Sequence, residues 1–137
     1  MLDTNALSEL RKPKPDAGFV TWVGSVPERA LYTTSVTLGE LRLGIELAAV
    51  GVRRDDLERW LVVEVAGRFS GRVFGFDAEA ADRWGRLEAS ARRGGGKIPL
   101  ADGMVAAIAL VHDLPVVTRN SADFVRTGVA LVNPWAG

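Results

Sequence analysis

Short apolar segments alternate with helical patterns along the chain, and this alternation restricts the possible folds more than any other feature. Strands that alternate with helices predict a parallel β-sheet with helices packed on both faces. We therefore predict a single α/β domain over residues 1–137, with a mostly parallel sheet of about five strands. The predicted strands lie near Leu2 and at residues 30–34, 73–76, 114–118 and 129–132.

The helical patterns are clearest in the middle of the chain. Residues 36–50 carry a single apolar stripe, and residues 55–66 follow as the second arm of a predicted helical hairpin. A third helix is predicted from Asp77, a residue type that favours the N-cap position, to the Gly94-Gly95-Gly96 triplet, which we interpret as a connector. A fourth helix is predicted at residues 100–112.

Composition excludes several kinds of chemistry. The 137 residues include no cysteine and one histidine, His112, so disulfides, the usual zinc sites and catalysis by a histidine pair are excluded. No apolar run approaches the roughly 20 residues that span a bilayer, and the first residues lack a signal-peptide pattern. We therefore expect a cytoplasmic protein that is not associated with a membrane. Because the net charge is zero, binding to nucleic acid would have to depend on a local site and not on the overall charge of the chain.

Acidic side chains occur where strands end or helices begin. Asp3 follows the first predicted strand, and Asp123 follows the fourth in a loop that also contains Asn120. Glu40 borders the apolar stripe of the 36–50 helix, and Asp102 lies in the first turn of the 100–112 helix. Each position also has an ordinary explanation: an N-cap, an exposed charge, the helix dipole or a turn preference.

The acids are more informative as a group, because the carboxyl ends of parallel strands share one edge of the sheet. Several carboxylates gathered there repel one another, and a hard divalent cation relieves that repulsion. Oxygen-only ligands suit Mg²⁺ or Mn²⁺, and such a site binds phosphate oxygens and activates water. The Gly39 that precedes Glu40 is unfavourable inside a helix, which we explain by a close approach of another backbone.

Four segments, taken in order, resemble the motifs of PIN-domain proteins. They are Leu2-Asp3-Thr4-Asn5, residues 35–41, residues 98–107, and residues 117–124 followed by Asn133-Pro134-Trp135. The ending is especially similar to the VapC/FitB branch of toxins. This resemblance covers nearly the whole chain.

The resemblance implies a PIN-like fold and a Mg²⁺- or Mn²⁺-dependent endoribonuclease, the toxin of a type II toxin–antitoxin pair. Metal-activated water would hydrolyse RNA phosphodiester bonds. The implied partners are RNA, a cognate VapB/FitA-like antitoxin and a second copy of the chain, with DNA bound only through the antitoxin. The implied catalytic and metal-binding acids are Asp3, Glu40, Asp102 and Asp123, with polar support from Thr4, Asn5, Thr118 and Asn120.

Several questions stay open at this point. The family varies between the positions of Asn120 and Asp123 for the fourth acid, and the first strand is very short. The alternative function is a catalytically weak PIN-fold binding module that acts mainly in a DNA-binding antitoxin complex. An exposed face of the 36–66 hairpin, together with the region of Trp22, would bind the antitoxin. Basic residues near the cleft either contact phosphate or are simply solvated: Arg11, Lys12, Lys14, Lys97, Arg119 and Arg126.

Overall fold

The sheet is built from short parallel pairs joined by the first residues of the chain. The computed structural model describes residues 1–136; Gly137, the last residue of the predicted domain, lies outside the described residues. Strand β1 (Thr33–Thr34) pairs in parallel with β2 (Val73–Phe74), and β3 (Val116–Val117) pairs in parallel with β4 (Leu131–Val132). The parallel arrangement predicted from the sequence is confirmed.

Residues 1–3 occupy the centre of this layer. The Leu2 N–H donates to the Tyr32 carbonyl at 2.7 Å on one side. On the other side, the Val117 N–H donates to the Met1 carbonyl at 2.8 Å. Only one residue pair, Leu2 with Val117, forms a parallel bridge, so the predicted first strand is reduced to a single bridge. The order across the layer is therefore β2, β1, residues 1–3, β3, β4.

The strands are shorter than predicted, and two helices begin directly at the carboxyl ends of the Leu2 segment and of β1. Asp3 caps the first helix and Thr34 caps the third, each by accepting a hydrogen bond from a backbone N–H three residues on. The helices are α1 (Thr4–Leu10), α2 (Ala17–Ser25), α3 (Ser35–Leu47), α4 (Val52–Arg59), α5 (Ala66–Arg68), α6 (Ala78–Arg93), α7 (Leu100–Val111) and α8 (Ser121–Phe124).

Two details of the predicted hairpin differ from the structure. Helix α3 ends at Leu47 because Ala48 adopts an extended conformation. The second arm is longer than predicted, since a π-helical segment, Trp60–Val65, joins α4 to α5 without a break. The expected close approach at Gly39 is wrong, because no atom lies within 4 Å of the position that a Cβ would take there.

Hydrophobic residues pack on both faces of the layer. Met1 and Val116 belong to one buried cluster and Leu2 and Val117 to the other, as the alternation of side chains along extended backbone requires. Helices α1 to α4 and the segment Trp60–Val65 cover the Leu2 face, and α6 and α7 cover the Met1 face. None of the helices within residues 1–136 is both long and apolar enough to cross a bilayer.

Candidate acidic active site

Asp3 has two roles that the sequence left as alternatives. Its Oδ1 accepts a 2.9 Å hydrogen bond from the Ala6 N–H, so it is the N-cap of α1. The residue is only 6% exposed, and burial raises the pKa of its carboxyl. Hydrogen bonds from Thr118, Ala6 and Asn5 oppose this rise, whereas the charge of Glu40 adds to it. Asp3 is therefore both a helix cap and a member of an acidic cluster.

Glu40 is positioned by two helices. Helix α3 starts immediately after β1 because the Thr34 hydroxyl caps it, accepting from the Thr37 N–H at 3.0 Å. Leu41 is buried, so the neighbouring Glu40 lies at the edge of the core and is partly exposed. The Thr4 hydroxyl, in the first turn of α1, donates a 2.7 Å hydrogen bond to Glu40 Oε1. Thr4, one of the predicted supporting residues, is thus hydrogen-bonded to a predicted acid.

Asp102 lies in the first turn of α7, where the neighbouring Gly103 allows a close contact with α6. A Cβ at Gly103 would stand 3.3 Å from the indole of Trp84 and 3.2 Å from Ile98 Cγ2. Partial burial raises the pKa of Asp102 to about 6, and the charges of Asp123, Glu40 and Asp3 contribute in that order. The four predicted acids therefore act on one another electrostatically.

The β3–α8 segment contributes the remaining predicted residues. Thr118 is fully buried, and its hydroxyl accepts from the Asn120 N–H at 2.9 Å while also favouring the charged form of Asp3. Asn120 is exposed, and within residues 1–136 its side chain makes no hydrogen bond, nor does that of Asn5. Asp123, and not Asn120, is the residue of this loop whose charge acts on Asp102.

The acidic cluster is negatively charged around Asp102, whereas the Met1 ammonium interacts with the charge of Asp3. Burial and neighbouring carboxylates account for the raised pKa of Asp102, and no cation of the chain offsets them. In the part of the chain that the structure describes, no three acidic or histidine side chains form an assembled metal cage. The donors are nevertheless all oxygen atoms that repel one another, and this donor set fits a hard divalent cation. Metal binding by these residues remains a prediction.

A groove of about 380 Å³ extends from the acidic cluster between α1, α3 and α4. Thr4 and Glu40 form one end, and Trp60, with the Arg11 guanidinium 5.9 Å from its ring centroid, lies along the wall. Trp22, expected in this surface, instead lines a separate depression with Pro134. Trp60 is partly buried and also packs against the core cluster that contains Leu61 and Val65. The other lining residues are Ser8, Lys12, Leu41, Gly44, Ile45, Arg53 and Leu57.

Comparison with known proteins agrees with this architecture. The profile of the PIN domain family matches residues 1–130. The chain is 37% identical over 135 residues to VapC ribonuclease Y4jK of Sinorhizobium fredii, covering 98% of this chain and 96% of the relative. It is 36% identical over 135 residues to toxin FitB of Neisseria gonorrhoeae, covering 98% and 97%.

The same likeness holds in three dimensions. The crystal structure of FitAcB from Neisseria gonorrhoeae superposes with a TM-score of 0.90 at 36% identity, covering 98% of this chain and 96% of that chain. A family profile over nearly the whole chain and two relatives above 30% identity agree with the predicted fold and family. The chain belongs to the PIN-domain family, in the branch of the VapC and FitB toxins.

Proposed function

We propose that the chain is the ribonuclease toxin of a toxin–antitoxin pair and hydrolyses RNA phosphodiester bonds at the acidic cluster. The observation that carries this proposal is the mutual repulsion of four carboxylates from four separate segments, seen most clearly in the raised pKa of Asp102. A relative named as a ribonuclease shares 37% of its residues over almost its whole length. The chemistry of the cluster and the name of that relative support the same function.

Asp3, Glu40 and Asp102 would hold Mg²⁺ or Mn²⁺, and Asp123 would complete the site. Once bound, the cation supplies an activated water and neutralises charge on the phosphate. Thr4 fixes the direction of the Glu40 carboxylate, and the Thr118 hydroxyl favours the charged form of Asp3. The only histidine, His112, is stacked on Phe74 with ring centroids 3.6 Å apart, outside this set. We therefore expect hydrolysis to leave a 5′-phosphate.

The groove beside Glu40 suits a peptide partner. Its apolar wall contains Leu41, Ile45 and Leu57, and Arg53 is exposed at its border. An amphipathic antitoxin helix would place apolar side chains along that wall and a cation among the carboxylates, where it would mimic the metal's charge. A homodimer, and DNA binding only through the antitoxin, are further expectations of this proposal.

The alternative of a catalytically weak binding module is not favoured. Asp3, Glu40 and Asp102 are all retained, and the carboxylates around Asp102 raise its pKa with no opposing cation within residues 1–136. A module that had lost catalysis would have no reason to maintain this repulsion, which destabilises the fold in the absence of metal.

The test is cleavage of total bacterial RNA by the purified chain with MnCl₂, with MgCl₂ and with excess chelator. We expect cleavage only with added metal, and its loss in Asp102→Asn. Glu79→Gln, which removes an exposed acid from the first turn of α6, is the matched control and should cut normally. Undiminished cleavage in excess chelator would overturn the metal-dependent mechanism.

The antitoxin is tested by co-purification with the product of the neighbouring reading frame. The complex should cut RNA far more slowly than the free chain. Arg53→Glu reverses an exposed charge at the groove and should weaken the complex, whereas Arg83→Glu, an equally exposed change on α6, should not. A stable complex that cuts RNA as fast as the free chain would show that inhibition by covering the site is wrong.

A further inference from the structure

The Arg126 guanidinium lies directly on the backbone of Gly96. A Cβ built at Gly96 would stand 2.2 Å from Cζ, 2.3 Å from Nη1 and 2.4 Å from Nε of Arg126, and real Cβ atoms essentially never approach other atoms within 3.0 Å. The arginine therefore occupies the space that any side chain at residue 96 would take. This arrangement depends on a glycine at that position.

The end of helix α6 explains only two glycines of the Gly94-Gly95-Gly96 triplet, Gly94 and Gly95. Gly94 is the C-cap of α6, and Gly95 has a φ of +75°, a left-handed conformation that favours glycine. The Gly95 N–H donates to the Arg92 carbonyl and the Gly96 N–H to the Ala91 carbonyl, at 3.0 and 2.9 Å. This is the Schellman pattern of a closed helix end, so the connector is an ordered stop. Gly96 needs no left-handed conformation, and its contact with Arg126 accounts for the missing side chain.

This contact joins the connector that precedes α7, the helix of Asp102, to the turn that follows α8, the helix of Asp123. Ile98 is buried against the first turn of α7, where its Cγ2 faces Gly103, the neighbour of Asp102. Gly96 is two residues before Ile98, a span of at most about 7 Å along the chain. Arg126 follows Asp123 by three residues, in the 3₁₀ turn Val125–Thr127. The Val125–Thr127 turn packs against α6 and α7, so the guanidinium lies between the connector that leads into the helix of Asp102 and the turn that follows Asp123.

The charge of Arg126 is not neutralised by the chain. Within residues 1–136, neither Arg126 nor the exposed Lys97 forms an ion pair or a side-chain hydrogen bond, whereas Arg92 and Arg86 of α6 pair with acids one turn away. The guanidinium that packs on Gly96 is thus available to bind an anion.

We propose that Arg126, whose guanidinium packs on Gly96, binds with the help of Lys97 a backbone phosphate of the RNA strand next to the phosphate that is cut. This inference rests on the proposed ribonuclease function. A strand whose scissile phosphate lies at the acids must pass over the surface around them, where the same carboxylates repel its other phosphates. A planar guanidinium forms two parallel hydrogen bonds to a phosphate and offsets that repulsion.

The experiment measures cleavage kinetics on a short labelled RNA containing a bond that the wild-type chain cuts. Arg126→Ala and Gly96→Ala should each raise KM roughly tenfold while kcat changes little, and the double variant should be no worse than either. In both, the slope of log kcat/KM against log salt should fall by about 0.7, the loss of one phosphate contact on a single strand. Folding should be preserved, because Gly96→Ala displaces only the movable end of a side chain.

Gly94→Ala is the matched control, since its Cβ would lie 3.6 Å from the nearest atoms, an ordinary contact. It should behave as wild type. If the wild-type chain cuts no RNA, the proposed function fails and this inference fails with it. If the wild-type chain cuts but Arg126→Ala keeps its KM and salt slope, this inference alone is wrong. Weaker antitoxin binding with unchanged RNA kinetics would equally overturn it, because the site would then serve a protein partner.

Discussion

The Thr4 hydroxyl donates a 2.7 Å hydrogen bond to Oε1 of Glu40, a residue 36 positions further along the chain. Each residue belongs to a helix that begins directly at the carboxyl end of a strand segment, so the two helix starts lie side by side at the same edge of the sheet. The bond fixes the carboxylate of one helix from the other. The geometry of the acidic cluster therefore depends on a side chain that is not itself acidic.

Thr4→Val tests this dependence. Valine has the shape of threonine without the hydroxyl, so we expect kcat/KM to fall about tenfold, as for the loss of a hydrogen bond to a charged group. Thr4→Ser keeps the hydroxyl and should stay close to wild type. Melting curves should show that both variants are folded. Equal activity in all three chains would mean that Thr4 does not orient Glu40 for the reaction.

Sequence patterns predicted the architecture correctly at positions where the preferences of the local residues match the observed fold. The strand-to-helix turns are predictable because Asp3 and Thr34 are residue types that cap helices. Since both turns lie at the carboxyl edge of a parallel sheet, the patterns also predicted that Asp3, Glu40 and Asp102 approach one another. Their electrostatic interaction in the structure agrees with this expectation, although their role as metal ligands is still a prediction.

Other features depend on contacts that no local pattern encodes. The Trp60–Val65 π-helical segment joins α4 to α5 without a break, and no local sequence pattern predicts it. Arg126 rests on Gly96, 30 positions earlier, and either residue alone is typical of a solvated loop. A single bridge at Leu2 is sufficient to hold residues 1–3 in the centre of the sheet, because their backbone is hydrogen-bonded on both sides. These features follow from tertiary packing.

Substitutions at Asp3 should separate its two roles. Asparagine keeps a side-chain oxygen for the Ala6 N–H, whereas alanine removes the cap of α1, which should lower the free energy of unfolding by about 1 kcal/mol. Both variants lose the negative charge, so we expect both to lose RNA cleavage. Thermal unfolding and cleavage assays on Asp3→Asn and Asp3→Ala measure the two effects. Normal cleavage by folded Asp3→Asn would exclude a metal-binding role for this residue.

Glu9 joins the end of α1 to two distant segments. Its buried carboxylate accepts 3.0 Å hydrogen bonds from Lys12 Nζ, the Asp16 N–H and Trp135 Nε1, and Trp135 stacks on Phe19 with centroids 4.8 Å apart. Burial raises the pKa of Glu9, but the hydrogen bonds from Lys12, Asp16 and Trp135 outweigh burial and hold the pKa below its ordinary value. Glu9→Gln should lower the free energy of unfolding at pH 7 by about 1 to 3 kcal/mol.

The sign of the pH effect at Glu9 follows from its lowered pKa. The contribution of the carboxylate to stability is complete above 4.5, the ordinary pKa, and is lost as the pH falls through the lower folded value. The difference in melting temperature between wild type and Glu9→Gln should therefore shrink on acidification. A difference that is independent of pH would mean that the loss comes from packing and not from the charge.

Asp102→Asn should abolish catalysis while raising stability, whereas Asp3→Ala should lower both. The folded pKa of Asp102 is about 6 against an ordinary value of 3.8, because burial and the charges of Asp123, Glu40 and Asp3 disfavour the carboxylate. Between these two values the folded chain keeps a proton that the unfolded chain has released, so stability falls as the pH rises through this window. Asparagine carries no charge, and the variant escapes that loss.

In metal-free buffer, Asp102→Asn and wild type should melt at similar temperatures near pH 4, and the variant should melt higher near pH 7. Added Mn²⁺ should then raise the melting temperature of wild type more than that of the variant, because only the wild-type cluster needs a cation to offset its repulsion. Cleavage should be lost in the variant at every pH. Glu79→Gln removes an exposed acid that lies outside the cluster, so this variant should melt and cut RNA like wild type at every pH. If metal-free Asp102→Asn melts below wild type at pH 7, Asp102 does not carry the repulsion that makes this cluster a cation site.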